Sequence, residues 1–306
     1  MNKETFGLAL ILSTAIISGF SIFINKFAVS QSNPFILTFA KSIIVSALLF
    51  SVLLLFRDFG KLRLLSKIQW LKLSLVGLIG GSTAFLIYFY ALKQTSAINA
   101  GFIHKTLFIF AAIFAVFFLK EKISKSFLAG AILLLAGNYF LFSKFSAFNI
   151  FDLMILAAVV LWAAENALSK HLLSDLSGGI VAFGRMFFGS IFLLIFLAFA
   201  GQLTLQNFTF SGNGLFWILI TSLLLFLYNL SYYSGLKHIP LHKAAAILML
   251  GQPITTLLAV TFSTAKITPE LVFGNLLLAA GCALIIGFSF ILSKFNQDRL
   301  TYKAKS

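Results

Sequence analysis

The chain has 306 residues, of which 60% are apolar and 10% charged, and its formal net charge is +15. A water-soluble domain of this size could not carry so much apolar surface without large exposed patches, so the composition excludes a soluble fold and indicates an integral membrane protein. The charge does not indicate nucleic-acid binding, because the basic residues lie between apolar runs and not on one face interleaved with stacking aromatics.

Runs bounded by charge, Pro or Gly give ten expected spans, roughly 6–28, 34–56, 71–92, 97–118, 126–143, 152–171, 178–199, 214–236, 241–263 and 269–292. The first, from Phe6 to about Phe27, is too long for a signal-peptide core and reads as an uncleaved helix. The 38 phenylalanines are lipid-facing or packing bulk, and the lone Cys282 excludes a disulfide framework.

With the N-terminus inside, the inner segments carry sixteen basic residues, among them Lys3, Arg57, Lys61, Arg63, Lys67, Lys72, Lys120, Lys122, Lys125, Lys170, Lys237 and Lys243. The outer segments carry four, Lys26, Lys93, Lys144 and Lys266. The positive-inside rule therefore expects a multi-pass protein of the cytoplasmic (inner) membrane with both termini cytoplasmic.

A fixed offset of 144 residues lays the second half on the first without gaps. Lys26 falls on Lys170, Lys41 on Arg185, Tyr88 on Tyr232, Lys122-Ile123 on Lys266-Ile267, and Gly130 and Gly137 on Gly274 and Gly281. The chain thus reads as two five-helix repeats, residues 6–149 and 150–293, with a cytoplasmic tail at 294–306. Five is odd, so the second copy enters the membrane inverted. The expected fold is an all-α bundle of ten transmembrane helices in two inverted repeats, a geometry suited to alternating access around a midplane site.

"FAKSIIVSALLF" and "FGRMFFGSIFLL" in the second helix of each repeat, "ALKQTSAINAG", and "FAVFFLKEKIS" closing the fourth helix resemble the drug/metabolite transporter superfamily, EamA type, over residues 6 to 293. Glu121 followed by a basic residue is a habitual feature of that family. The pattern is departed from at Ala265, where the second repeat has no acid, and at Lys41, where Arg is more usual. The resemblance implies secondary transport or export of small metabolites, often amino acids. It also implies that the third, fourth, eighth and ninth helices border a central cavity.

Ionisable groups within spans cost about 2.5 kcal/mol or more near the centre, so they face partners or water. Here they are Lys41, Lys105, Glu165 and Arg185, with His104 beside them. Glu165 and Arg185 lie ten residues either side of Asp175, at equal depth on neighbouring antiparallel helices. They read as a structural ion pair or, alternatively, as a proton-coupling group. The offset carries Glu165 back to Ser21, so Lys41 lacks its acid. About eight residues deep, roughly 12 Å, it meets either a structural partner or a substrate anion.

His104 and Lys105 lie at similar depth, making an outer half-cavity suited to an anionic or zwitterionic solute. A hydrogen-bonded core histidine is the plainer reading of His104. Tyr88, Tyr228, Asn229, Tyr232 and Gln252 are cavity-lining candidates, although interhelical hydrogen bonding accounts for any one of them. Glu121 reads as an exposed helix-end charge, and Gly77, Gly80 and Gly81 as packing positions.

No cofactor or metal is expected. His238 and His242 are separated by Pro240 with no acid or cysteine nearby in sequence, and "GLIGGSTA" at 77–84 lacks the lysine of a phosphate loop. The reading is therefore a non-enzymatic secondary transporter, an exporter of small metabolites such as amino acids or other carboxylate-bearing solutes, whose expected partners are a small-molecule substrate, the lipid bilayer and, in a homodimer, a second copy, with no nucleic acid. A channel, a lipid-handling protein of the same fold or a membrane enzyme are the alternatives.

Overall fold

The computed structural model describes residues 2–30, 33–92, 94–95, 97–141, 147–208, 212–262 and 266–287, less the side chains of a few of these. Lys93, Lys144, Ala265 and the 294–306 tail lie outside the described residues, as does the side chain of Lys26.

The regular elements among the described residues are all helices. The long helices are α1 (Lys3–Ser30), α2 (Pro34–Leu55), α3 (Lys67–Val76, continued by a π segment Gly77–Thr83 and by Ala84–Leu92), α4 (Ala97–Lys105 and Leu107–Phe117), α5 (Lys125–Leu141), α6 (Ile150–Leu172), α7 (Gly178–Phe199), α8 (Gly212–Leu236), α9 (Leu241–Ile247, a 3₁₀ turn Leu248–Leu250, then Gly251–Thr261) and α10 (Pro269–Ile286). Nine of these are long and apolar enough to cross a membrane; α5, with 17 residues, is shorter, at about 26 Å. Among the described residues, nine of the ten expected spans are thus matched by helices of at least 18 residues, and the fifth by one of 17.

Starts are set locally where a capping residue precedes the apolar run. Asn33 accepts from the Phe35 amide ahead of Pro34, Ser66 with Gln69 and Asn149 with Asp152 form capping boxes, and Ser177 and Thr268 cap α7 and α10. Large apolar side chains such as Leu55, Phe117, Ile132, Phe199 and Leu257 point outward, whereas Glu165, Asn166, Arg185 and Asn229 are buried. This inversion of the soluble pattern is what a lipid solvent requires.

Helices that the 144-residue offset equates run antiparallel to each other. Between α2 and α7, Phe35 meets Phe196 and Phe50 meets Phe183, with ring centroids 5.6 Å and 5.7 Å apart. Between α5 and α10, a Cβ on Gly130 would lie 2.6 Å from the Gly281 carbonyl, and one on Gly137 would lie 2.7 Å from that of Gly274. Each glycine thus faces the equivalent of the other, which only an inverted pair can arrange. The repeats also interlock. α1 packs on α8, where the Thr14 hydroxyl donates to Ser231 Oγ at 2.8 Å, and α6 packs on α3 of the opposite repeat.

Antiparallel succession gathers the ends near residues 55–67, 117–125, 172–178 and 236–241 on one face, here termed the basic face. Contacts across it agree. Lys237 Nζ donates to the Leu176 carbonyl at 2.8 Å, and Lys170 Nζ to the carbonyls of Leu236 and Ile239 at 2.6 Å and 2.8 Å, satisfying acceptors that the end of α8 leaves open.

Candidate functional site

Glu165 and Arg185 form the most connected polar centre of the bundle. Arg185 Nε lies 3.4 Å from Glu165 Oε2, and the carboxylate also accepts from Ser169 Oγ at 2.7 Å and Tyr233 OH at 2.8 Å. The guanidinium donates to the Gly80 carbonyl at 3.0 Å and to Asn229 Oδ1 at 3.5 Å, and lies over the Phe85 ring. Both groups are buried, so each needs these partners.

Gly80 lies within the π segment of α3. A Cβ there would be 2.3 Å from Glu165 Cγ, so the site tolerates no side chain. The wider turn also leaves the Gly80 carbonyl open to two outside donors, Arg185 and Trp162 Nε1, the latter at 3.1 Å. The sequence marks the glycines as packing positions but does not reveal the acceptor.

The first repeat builds the same frame with different chemistry. Lys41 Nζ donates to Asn25 Oδ1 at 2.7 Å, and Asn25 Nδ2 donates to the Ser21 carbonyl and hydroxyl at 2.7 Å and 3.0 Å. By the offset, Ser21 and Asn25 stand where Glu165 and Ser169 stand in the second repeat. The polar pair one helical turn apart is preserved, but its acid has become a serine and the partner of the cation is a neutral amide. Ser21, which the sequence places opposite Lys41, is thus reached only through Asn25.

A second symmetric feature is a pair of helix breaks. α4 is interrupted at Thr106 and α9 at Leu248–Leu250, and 106 maps onto 250. Each break is tied to the fifth helix of its own repeat. Asn138 Nδ2 donates to the Phe102 carbonyl at 3.2 Å, and Cys282 Sγ, at the equivalent position, lies 3.4 Å from the equivalent Ala246 carbonyl. Broken helices at matching positions of two inverted repeats are the backbone arrangement that builds midplane sites, because freed carbonyls and helix ends turn toward the cavity.

Lys105 ends the first half of α4, buried, with no hydrogen bond or ion pair to its ammonium among the described residues. Beside it, His104 packs at ring-centroid distances of 5.6 Å from Tyr88 and 5.5 Å from Trp162, while Tyr88 and Trp162 are 5.3 Å apart. His104 thus belongs to an aromatic cluster. Tyr228 and Tyr232 stack at 5.7 Å on α8, beside Asn229, and the buried Tyr232 hydroxyl has no partner among the described residues, as is also true of Asn138 Oδ1. Gln252 opens the second half of α9, half-buried.

Among the candidates, Tyr88, His104 and Lys105 lie at the α4 break and Glu165, Arg185, Tyr228, Asn229 and Tyr232 surround the buried pair, while Lys41 is bonded to Asn25 and the Gln252 side chain makes no hydrogen bond among the described residues. Trp162, which links Tyr88 and His104 to Gly80, has no signal in the sequence beyond its size.

Glu121 departs from its reading as an exposed charge. It accepts from the Leu241 and His242 amides at 2.8 Å and 3.3 Å and from His242 Nδ1 at 2.6 Å, so it caps α9, whose preceding Pro240 has no side chain able to do so. Partial burial pushes its carboxyl up, and the hydrogen bonds from His242 and from the two amides outweigh that and hold it below the usual carboxylate range. Glu121→Ala is expected to cost about 1–3 kcal/mol and to speed amide exchange selectively over residues 240–247, read by hydrogen-exchange mass spectrometry. Because the folded value is depressed, the wild-type contribution is present above the ordinary Glu pKa near 4.3 and is lost as pH falls through the folded value. The wild-type protection of this segment should thus fall toward that of the variant in acid.

Comparison with known proteins comes to the same architecture. A family model described as "EamA-like transporter family" matches residues 5–143 and again 149–287. Two relatives from Archaeoglobus fulgidus, each named "Uncharacterized transporter", are 31% identical over 207 residues, covering 66% of this chain and 69% of the relative, and 34% identical over 117 residues, covering 37% of each. A solved structure, titled only as the crystal structure of a protein, superposes with a TM-score of 0.73 at 20% identity over 90% of this chain and 94% of that one, a likeness of fold.

Proposed function

We propose, from the premise that the chain belongs to the EamA-like transporter family, that it is a secondary active transporter exporting small carboxylate-bearing metabolites, such as amino acids, across the cytoplasmic membrane. The observation that carries the substrate class is the pair of intramembrane cations without acid partners. Lys41 is seven residues past Pro34 and Lys105 eight past Ala97, so each is about 10–12 Å in from the same face. Lys41 has a neutral amide partner and Lys105 has no polar partner among the described residues. Two cations at one depth favour a solute that brings its own negative charge.

Alternating access follows from the inverted repeats: exchange of conformations between two equivalent halves turns an outward-open state into an inward-open one. The matched breaks at Thr106 and Leu248–Leu250 supply the interrupted helices such a site needs. The unpartnered Tyr232 hydroxyl and Asn138 Oδ1 add polar atoms that a solute or water can satisfy, each costing about 1–3 kcal/mol when left dry. The excess of Lys and Arg on the basic face supports a cytoplasmic location for both termini.

The test is counterflow of a metabolite panel in proteoliposomes, with and without a proton gradient. Carboxylates and amino acids are expected to exchange, and esterified or decarboxylated analogues of the same size are not. Exchange of the amines in preference to the acids would overturn the substrate class.

A further inference from the structure

Apart from the Glu165–Arg185 centre and the α4 and α9 breaks, the structure holds a groove of about 720 Å³ between α2 and α7, walled by Ala47, Phe187 and Trp70 and rimmed by Arg63. Ile43, Ala47 and Phe187 in its lining are exposed along the side of the bundle, and Arg63 is exposed at the end nearest the basic face.

Ser46 and Ser190, which line the groove, are equivalents under the 144-residue offset, so they straddle the level at which the two repeats interchange. Ser46 is nine residues from the end of α2 and Ser190 twelve from the start of α7, about 14 Å and 18 Å from the basic face. The groove therefore runs through half of a hydrocarbon core of about 30 Å, the depth of one leaflet.

At its mouth the short helix Phe59–Arg63 tucks Leu62 inward and sets the Arg63 guanidinium over the Phe59 ring, 5.0 Å from its centroid. Arg57, Arg63 and Lys67 have no acid partner among the described residues, because the one local acid, Asp58, is held by Lys61 at 2.6 Å. The cations are not imposed by the fold. The offset carries Arg57, Lys61, Arg63, Lys67 and Lys72 onto Gly201, Leu205, Asn207, Ser211 and Phe216, so the equivalent place in the second repeat carries no charge.

We propose that this groove is a binding site for one anionic phospholipid of the leaflet on the basic face, an acyl chain lying between α2 and α7 and the phosphate held by Arg63. An apolar channel one leaflet deep takes the chain, and the basic rim selects the headgroup. The groove and its basic rim would hold a lipid whatever the transported solute is.

Trp70, in the wall, is an intrinsic reporter. The full-length protein in detergent is titrated with phosphatidylglycerol carrying dibrominated chains and, separately, with phosphatidylcholine carrying the same chains. Saturable quenching is expected at a lipid mole fraction about fivefold lower for phosphatidylglycerol. Trp70→Phe should remove the saturable component, Ala47→Phe should weaken it for both lipids, and Arg63→Gln should bring phosphatidylglycerol to the level of phosphatidylcholine. Arg63 and Ala47 are surface positions, so their variants keep the test sound if Trp70→Phe folds poorly. Equal quenching of the wild type by both lipids, or a saturable component unchanged in Ala47→Phe, overturns the proposal.

Discussion

Arg185→Ala is expected to remove the folded protein, not merely its activity. The substitution leaves the Glu165 carboxylate, 1% exposed, with the Ser169 and Tyr233 hydroxyls as its only donors, and opens a gap against Phe85 and the Gly80 carbonyl. Breaking a buried pair from one side costs about 3–5 kcal/mol, because the surviving charge stays desolvated. That is a large share of the 5–15 kcal/mol that holds a typical domain together. Monodisperse yield after detergent extraction should fall at least about tenfold.

Glu165→Gln should be milder. Arg185 then keeps the Gly80 and Asn229 acceptors and the Phe85 face, while the glutamine oxygen still accepts from Ser169 and Tyr233. Adding Glu165→Gln to Arg185→Ala should likewise recover part of the yield by deleting the stranded charge. Wild-type yield from Arg185→Ala alone would show that the pair does not hold the bundle. Glu165→Gln also separates the two readings of the pair. Full gradient-driven transport by that variant leaves a structural pair, and loss of gradient dependence with the fold intact assigns it the proton.

Much of this arrangement was legible in the sequence because symmetry and depth are one-dimensional properties. The 144-residue offset and the odd helix count give the inversion, seen in Gly130 facing Gly281 and Gly137 facing Gly274. The equal spacing of Glu165 and Arg185 about Asp175 sets them at one level, where they meet at 3.4 Å.

What remained hidden depends on tertiary partners. The break at Leu248–Leu250 lies just before Pro253, which removes a donor and can bend a helix, but Thr106, next to His104 and Lys105, carries no such breaker, and the carbonyls beside the two breaks are met by Asn138 and Cys282, each 36 residues away. Those two residues occupy equivalent positions, so the offset applied to polar residues on the fifth helices, and not to glycines alone, would have found them. Glu121 looked exposed because its flanking residues are lysines, whereas its partners, Leu241 and His242, lie 120 residues on. Asn25 was missed as the partner of Lys41 for a smaller reason: the offset fixes backbone positions, and the contact moved one helical turn.

That shift makes Lys41→Met the opposite experiment to Arg185→Ala. Removing the ammonium orphans only Asn25 Oδ1, a neutral acceptor whose amide stays bonded to Ser21, so the structural cost should be about 1 kcal/mol and the folded yield near wild type. Transport should suffer instead. A charge-assisted hydrogen bond to a carboxylate contributes about 1.5–3 kcal/mol, so its loss should lower transport efficiency about 10- to 100-fold, mostly through weaker solute binding, and Lys41→Arg should restore much of it. Lys105→Met is expected to behave alike. If the two cations hold one anion, the double variant should lose less than the sum of the single losses, since the second removal acts on a site already weakened. Strict additivity would mean separate roles, and collapse of the folded yield in Lys41→Met would reduce Lys41 to a structural partner of Asn25.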